Sequence, residues 1–319
     1  MIAPFPYFGG KRSVAAELWK RLGTPLQYIE PFCGSAAVLL AAPSPANLEV
    51  ICDASGFIAN FWRAVKHQAA QVASWADYPV SHIDLGARHV WLMEQRERVG
   101  GHLQDPDWPG DPKVAGWWLW GQCCWIGSGW CDWDGKVPHA GNAGRGVQAL
   151  GQVPHAGNAG RGVQALGQVP HASNAGMGGI WTSAGRAAWT SLRRLADRLE
   201  RVRVVHGSWD RCLNNHYGGA DTAVFLDPPY RAYEKLYGVA EPVADEVAAW
   251  AAEHADLRIA LCGHRGDYDL AGWEAVEWSR GRLTYSGGTT TEEECVWYSP
   301  ACLQATRQLG LFDTEARAS

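Results

Sequence analysis

Residues 28–53 read YIEPFCGSAAVLLAAPSPANLEVICD, and this stretch decides the fold. It opens with a short apolar run at 28–30 and closes with a second one at 48–53. Between the two runs, a turn leads into a helical pattern at 34–40. A second helical pattern, at 59–62, follows the second run. A strand, a helix, a strand and a helix in succession predict a doubly wound α/β sheet.

The same pattern returns in the second half of the chain. Leucines recur at helical spacing within 187–199, which predicts a helix there. Short apolar strands are predicted after it, at 202–205, 223–226, 258–261, 275–278 and 295–298. We expect one Rossmann-like sheet that is mostly parallel, with an antiparallel strand at its edge.

A segment of different composition separates these two regions. Eight tryptophans lie between residues 91 and 133, and most of them are expected to build a small core. The sequence VPHAGNAGRGVQALGQ then occupies 137–152, recurs unchanged at 153–168 and begins a third time at 169. Its many glycines predict an extended surface loop. The predicted organisation is an α/β domain of residues 1–74 and 186–305, an insert at 75–185 and a C-terminal tail at 306–319.

Composition narrows the class of protein. With 47% hydrophobic and 19% charged residues, the chain is expected to be globular. It contains no long apolar run and no signal-peptide pattern, so we expect a cytoplasmic protein without a membrane segment. The nine cysteines include no C-x-x-C pair, which predicts buried thiols and no metal site. Because the net charge is −5, any binding of nucleic acid would depend on basic residues that are clustered locally.

Asp227-Pro228-Pro229-Tyr230 directly follows a predicted strand, at a position where parallel sheets bind ligands. The carboxylate of Asp227 and the carbonyl of Pro228 can each accept an N–H of an aromatic amine, which localises the lone pair on its nitrogen. Tyr230 offers a flat face on which a base taken out of the duplex can stack. Taken alone, the tetrapeptide also fits an ordinary turn that ends a strand.

Two other segments suit a charged, nucleoside-like ligand. Gly34 allows a ligand to approach the backbone, and Asp53 ends the next strand 19 residues later. That spacing suits a carboxylate bonded to ribose hydroxyls, although a turn without a ligand is the alternative. Near the N-terminus, residues 7–11 read YFGGK, which can wrap a charged ligand or form a plain turn.

In this order, the three segments resemble the Dam-like class of DNA adenine-N6 methyltransferases, in its phage and prophage form. That class has an aromatic-x-G-G-K segment, here 7–11, a D/E-P-F-x-G-x-G/A turn, here 30–36, and D-P-P-Y, here 227–230. The resemblance implies a methyltransferase-type sheet, S-adenosylmethionine as cofactor and an insert that recognises double-stranded DNA. It implies methylation of the exocyclic amine of adenine at a specific site, by base flipping and direct methyl transfer.

The resemblance also assigns roles to residues. It implies that the whole 227–230 loop is catalytic, with Pro229 as its third member. In the family, a G-D-F/W turn before the catalytic strand often binds the cofactor's adenine. Here the turn reads Gly207-Ser208-Trp209-Asp210, so Ser208 or Asp210 would take that part. The implied cofactor-binding residues are Tyr7, Lys11, Glu30, Phe32, Gly34, Asp53, Ser208 and Asp227.

Partner contacts are predicted at two further places. Trp125 and Trp130 in the insert suit base stacking, and Arg145 and Arg161 in the repeats suit phosphate contacts. Residues 308–312 read QLGLF and resemble the peptide with which bacterial proteins dock on the replicative sliding clamp, although a packed helix end is the alternative. The docking residues would be Gln308, Leu309, Leu311 and Phe312.

Besides an acceptor that is protein or RNA, which would predict no base-sized pocket and no insert that reads a duplex, two alternatives to adenine methylation are open. Methylation of the exocyclic amine of cytosine uses the same chemistry, although its loop more often begins with serine. A DNA-binding relative that has lost catalysis would fit the departure at Ser208. The presence of Lys11, Asp53 and Asp227 argues against that second alternative. Enzymes of this type are typical of phages and of restriction–modification systems.

Overall fold

The computed structural model describes residues 1, 3–5, 7, 11–78, 82–124, 130–131, 183–214, 218–230, 243–278 and 294–303. The strands are β1 Gln27–Glu30, β2 Leu48–Asp53, β3 Val202–His206, β4 Thr222–Leu226, β5 Arg258–His264, β6 Glu274–Trp278 and β7 Glu294–Tyr298. The α-helices are α1 Ala15–Leu22, α2 Ala37–Leu40, α3 Gly56–Ala76, α4 His82–His102, α5 Pro112–Cys124, α6 Ser183–Leu199 and α7 Val243–Glu253. Short 3-10 helices lie at Trp209–Cys212 and Gly219–Asp221. Each predicted strand is present, and its bounds differ from the prediction by a few residues at most.

The strands form a single sheet in the order β3-β2-β1-β4-β5-β7-β6. The five strands from β3 to β5 pair in parallel, whereas β7 pairs antiparallel with both β5 and β6. The mostly parallel sheet is therefore confirmed. The strand that runs against the others, β7, was expected at the edge, but it lies one place inside it. Although β7 comes last in the chain, it lies between β5 and β6 and pairs with both of them.

The two central strands, β1 and β4, are buried along their whole length. Since successive side chains of a strand point to opposite faces, each strand contributes to two cores. Phe225 of β4 packs on the face covered by α1, α3 and α5, whereas Val224 and Leu226 pack on the face covered by α7. Burial on both faces explains why these strands appear as continuous apolar runs in the sequence.

Helices α4 and α5, which belong to the predicted insert, continue the core of the α/β domain. Helix α3 runs through Ala76, past the predicted boundary at residue 74, and packs along α5. The ring centroid of Trp118 in α5 lies 4.9 Å from that of Phe5 and 5.7 Å from that of Phe61. Six of the eight clustered tryptophans are described, and each is buried or packed against this core. The repeats lie outside the described residues.

The remaining bulk predictions concern cysteines and membranes. All nine cysteines are buried free thiols, as the sequence predicted. Among the described helices, none has both the length and the apolar character required to cross a membrane.

Candidate active site

Acidic side chains gather where the parallel strands end. Glu30 ends β1, Asp53 ends β2, and Asp227 directly follows β4. Glu294 lies at the same edge because β7 runs in the opposite direction, so that its first residue pairs with His264 at the end of β5. The order of the strands reverses between β1 and β4, and open α/β sheets bind their ligands at such a point.

The amino group of Lys11 lies among these carboxylates. Its Nζ is 2.8 Å from Oδ1 and 3.0 Å from Oδ2 of Asp227, and 3.9 Å from Oε2 of Glu294. Only 3% of Lys11 is exposed. Burial alone would lower the pKa of this amine, but Asp227, Cys262 and Glu294 together outweigh burial, so the pKa is raised. Lys11 is therefore a cation at neutral pH.

The ring of Tyr230 completes the Asp-Pro-Pro-Tyr loop. Nζ of Lys11 lies 5.1 Å from the centroid of this ring, within the range of a cation–π contact. The imidazole of His264 meets the same ring edge-on, with centroids 4.6 Å apart. Pro228 is buried and Pro229 is half-buried, so the loop is anchored in the fold. The loop thus presents its carboxylate and its ring to the same cation.

Glu294 and His264 were missed by the sequence analysis. Glu294 stands immediately before the predicted strand 295–298, and His264 follows the predicted strand 258–261 by a few residues. Glu294 would have been found if the direction of β7 had been known, because only an antiparallel strand brings its first residue to this edge. His264 would have been found if the end of β5 had been placed three residues later, since parallel strands end at this edge.

The turn after β1 is built around Gly34. Its φ of 44° lies in the left-handed region, which favours glycine. Its N–H donates to Oδ2 of Asp53 at 2.9 Å, and its carbonyl accepts from the indole N–H of Trp62 at 2.9 Å. A Cβ at this position would lie 2.6 Å from the ring of Tyr7. The absence of a side chain therefore allows Tyr7 and Asp53 to close on the backbone.

Asp53 is suited to accept further hydrogen bonds. Its Oδ1 already accepts the backbone N–H of Ser55 at 2.8 Å, in addition to the bond from Gly34. Burial raises the pKa of Asp53 to about 6, although both N–H donors act to lower it. The side chain is therefore mainly ionised at neutral pH. Since a carboxylate has roughly four acceptor positions, hydroxyl donors such as those of a ribose can still bind to it.

Glu30 has a different environment. Its Oε2 accepts the phenolic O–H of Tyr28 at 2.9 Å and the backbone N–H of Leu39 at 3.0 Å. Burial raises the pKa of Glu30 to about 8; the two hydrogen bonds oppose this rise, and the negative charge of Asp227 adds to it. Glu30 is therefore mainly protonated at neutral pH, and these contacts hold the start of α2 in place. Its predicted contact with the cofactor stays a prediction.

The turn after β3, residues 207–210, lies next to the end of β2. Its first backbone N–H donates to the last carbonyl of β2 at 3.1 Å. The hydroxyl of Ser208 donates to the carboxylate of Asp210, so the two candidates for the cofactor's adenine form one bonded pair. The ring of Trp209 is nearly parallel to that of Phe32, at a centroid distance of 6.4 Å. The structure thus brings this turn to the predicted cofactor residues.

Of the residues predicted to contact DNA or a clamp, Trp130 is the one that lies within the described part of the chain. Trp130 is only 5% exposed, and its indole N–H donates to the carbonyl of Trp118 at 3.1 Å. These contacts are those of a packing residue, and the predicted role of Trp130 in base stacking stays a prediction. The remaining contacts stay predictions outside the described residues: Trp125, Arg145, Arg161, Gln308, Leu309, Leu311 and Phe312.

The mixed sheet, with a nucleoside-type turn and an Asp-Pro-Pro-Tyr loop at its switch point, is consistent with a methyltransferase fold. Residues 7–80 match the family model of the D12 class N6 adenine-specific DNA methyltransferases. The matched segment contains Lys11, Gly34 and Asp53, and it ends before Asp227. No curated protein matches the chain. The match supports an adenine-specific DNA methyltransferase that uses S-adenosylmethionine.

Proposed function

We propose that this chain methylates the exocyclic amine of adenine at a specific site in double-stranded DNA, with S-adenosylmethionine as methyl donor and the target base flipped out of the duplex. The observation that carries the proposal is the ion pair between Lys11 and Asp227. It joins the segment that matches the adenine methyltransferases to the Asp-Pro-Pro-Tyr loop 216 positions later. Two motifs that are far apart in the sequence therefore belong to a single site.

The residues of the turn after β1 fit this cofactor. At Gly34 the ring of Tyr7 packs where a Cβ would lie, so the missing side chain brings a predicted cofactor residue against the backbone of this turn. The ionised carboxylate of Asp53 suits the hydroxyls of a ribose. Phe32 and Trp209 contribute aromatic surface beside the turn. When bound, the cofactor supplies an electrophilic methyl group on a sulfonium centre, and Phe32, Gly34, Asp53 and Ser208 would hold it.

The Asp-Pro-Pro-Tyr loop would hold the target amine. Asp227 accepts one N–H and the carbonyl of Pro228 accepts the other, so the nitrogen lone pair is localised as the nitrogen becomes tetrahedral. The stiff backbone of Pro228 and Pro229 keeps the two acceptors in place. Tyr230 contributes its ring to the flipped base. A strongly basic side chain is not required, because the amine becomes acidic only as it is alkylated.

Methyl transfer can be tested directly. The protein is incubated with duplex DNA and S-adenosylmethionine labelled in the methyl group, and the DNA is then digested to nucleosides. Label in methyladenosine is the expected result, whereas label in methylcytosine would establish the cytosine alternative. If no nucleoside is labelled and calorimetry shows no cofactor binding, the proposal is wrong.

A pair of variants tests the loop. Asp227→Ala should abolish methyl transfer while duplex binding, followed by fluorescence anisotropy, changes little. Asp197→Ala, on the exposed face of α6, is the matched control and should leave transfer unchanged. Substantial transfer by Asp227→Ala would show that another group holds the amine.

A further inference from the structure

The carboxylate of Asp227 is already neutralised in this structure. Lys11 contacts both of its oxygens, at 2.8 and 3.0 Å, and the two side chains together carry no net charge. On the proposed function, Asp227 must accept an N–H of the target amine, and positive charge then develops on the nitrogen beside it. Acceptor positions remain on Asp227, but a carboxylate whose charge is offset by a lysine is a weaker acceptor and stabilises a developing positive charge less than an unpaired one.

Among the described residues, Glu294 is a second carboxylate close to this lysine. Its Oε2 lies 3.9 Å from Nζ, and only 12% of its side chain is exposed. With Glu294 included, the group of Lys11, Asp227 and Glu294 carries one net negative charge. Glu30 adds none at neutral pH, because burial raises its pKa to about 8. Since Lys11 and Asp227 offset each other, the net negative charge of this group comes from Glu294.

The backbone of Glu294 is held firmly. It pairs with His264 of β5 on one side and with Trp278 of β6 on the other, so both neighbours in the sheet fix its position. A lysine ammonium has three N–H donors and can bond two carboxylates at once. Lys11 can therefore move towards Glu294 without losing its counter-ions, whereas Glu294 itself stays in place.

We propose that Glu294 is a positioning residue for methyl transfer, which holds Lys11 so that Asp227 is free to accept the N–H of the target amine. Glu294 acts through Lys11 and does not touch the base. It also gives the three side chains a net negative charge, which offsets the positive charge that develops on the amine nitrogen. This inference rests on the proposed function and adds a residue outside the three recognised motifs.

The first test compares rates. Glu294→Gln keeps the size of the side chain and removes its charge, so kcat should fall about 10- to 100-fold, which is less than the roughly 100- to 1000-fold lost with a direct contact to a reacting group, because Glu294 acts through Lys11. KM for duplex DNA and Kd for S-adenosylmethionine should change less than threefold, and Glu294→Asp should recover part of kcat. Glu277→Gln is the matched control: this residue lies on β6, pairs with the exposed Arg265 and is itself half-exposed, so its kcat should equal that of the wild type.

The second test needs neither cofactor nor DNA. The pKa of Lys11 is followed by NMR of protein labelled with 13C-lysine, and its signal is assigned with Lys11→Arg. Within the described part of the chain, Asp227 in the loop after β4, Cys262 of β5 and Glu294 of β7 act on Lys11, with the ring of Tyr230 alongside. Because Glu294 raises this pKa, Glu294→Gln should lower it and Glu277→Gln should not.

The two tests separate the possible outcomes. A normal kcat or an unchanged Lys11 pKa in Glu294→Gln overturns the role of Glu294, as does an equal loss of kcat in Glu277→Gln. If the glutamine variant does not fold by circular dichroism, the same two measurements on Glu294→Asp decide: an unchanged kcat together with an unchanged Lys11 pKa overturns the proposal. If the wild type transfers no methyl group, the proposed function fails, whereas the pKa measurement still shows whether Glu294 and Lys11 are coupled.

Discussion

Replacing Glu30 with glutamine tests whether the carboxyl group at the end of β1 is neutral in the folded protein. Glu30 is only 2% exposed, and its Oε2 accepts hydrogen bonds from Tyr28 and Leu39. Glutamine keeps the size and an oxygen acceptor for both donors, but it does not ionise. Glu30→Gln should therefore fold normally and bind S-adenosylmethionine like the wild type at pH 7.

The expected effect on stability follows from the pKa. Burial raises the pKa of Glu30 from its usual 4.5 to about 8 in the folded chain. Between these values the folded state binds a proton that the unfolded state has lost, so the free energy of unfolding falls as the pH rises. The full loss is on the order of 5 kcal/mol, since each tenfold change in proton affinity corresponds to about 1.4 kcal/mol. The free energy of unfolding of Glu30→Gln does not fall in this way. Relative to that of the wild type, it should rise by several kcal/mol between pH 4.5 and pH 9.

Urea unfolding, followed by tryptophan fluorescence at intervals between pH 4.5 and pH 9, measures this difference. The quantity of interest is the change with pH in the difference between variant and wild type, because it is independent of small packing effects of the substitution. Glu246→Gln, on an exposed part of α7, is the control and should follow the wild type at every pH. A difference for Glu30→Gln that stays constant across this range would show that Glu30 ionises normally, and the reasoning would be refuted.

Three further predictions concern the cofactor turn and the core. Gly34→Ala should weaken S-adenosylmethionine binding about tenfold by calorimetry, because alanine at a φ of 44° costs roughly 1–2 kcal/mol and its Cβ would meet a ring at 2.6 Å. The affinity of the wild type for the cofactor should fall below pH 6, since the pKa of Asp53 is about 6, whereas Asp53→Asn should bind more weakly with no such pH dependence. Arg198→Ala leaves Glu49, which is 1% exposed, without its bidentate partner, and should cost about 3–5 kcal/mol of stability in thermal melts. Lys20→Ala, at an exposed ion pair, should cost less than about 1 kcal/mol.

Much of the fold could be predicted because local pattern and burial agree. The apolar runs at 28–30, 48–53 and 223–226 are strands covered on both faces, and such strands need no partner information to be recognised. The position of β7 could not be predicted, since an apolar run of that length fits an edge strand and an inner strand equally well. The predicted boundary at residue 74 also left out helices that share the core, because their tryptophans pack against Phe61 and its neighbours.

The sequence alone determined the elements of the candidate site. Asp53 ends a strand, the loop that begins at Asp227 directly follows one, and Gly34 lies in the turn after another. The carboxyl ends of parallel strands share one edge of the sheet. Only the tertiary structure decided how these elements act on one another. It placed Lys11 against Asp227, brought Glu294 to the same edge by reversing β7, and buried Glu30 deeply enough to keep it protonated. The physical reason is that charge coupling depends on the distance between groups and desolvation depends on burial. Both are set by contacts between residues that are far apart in the chain.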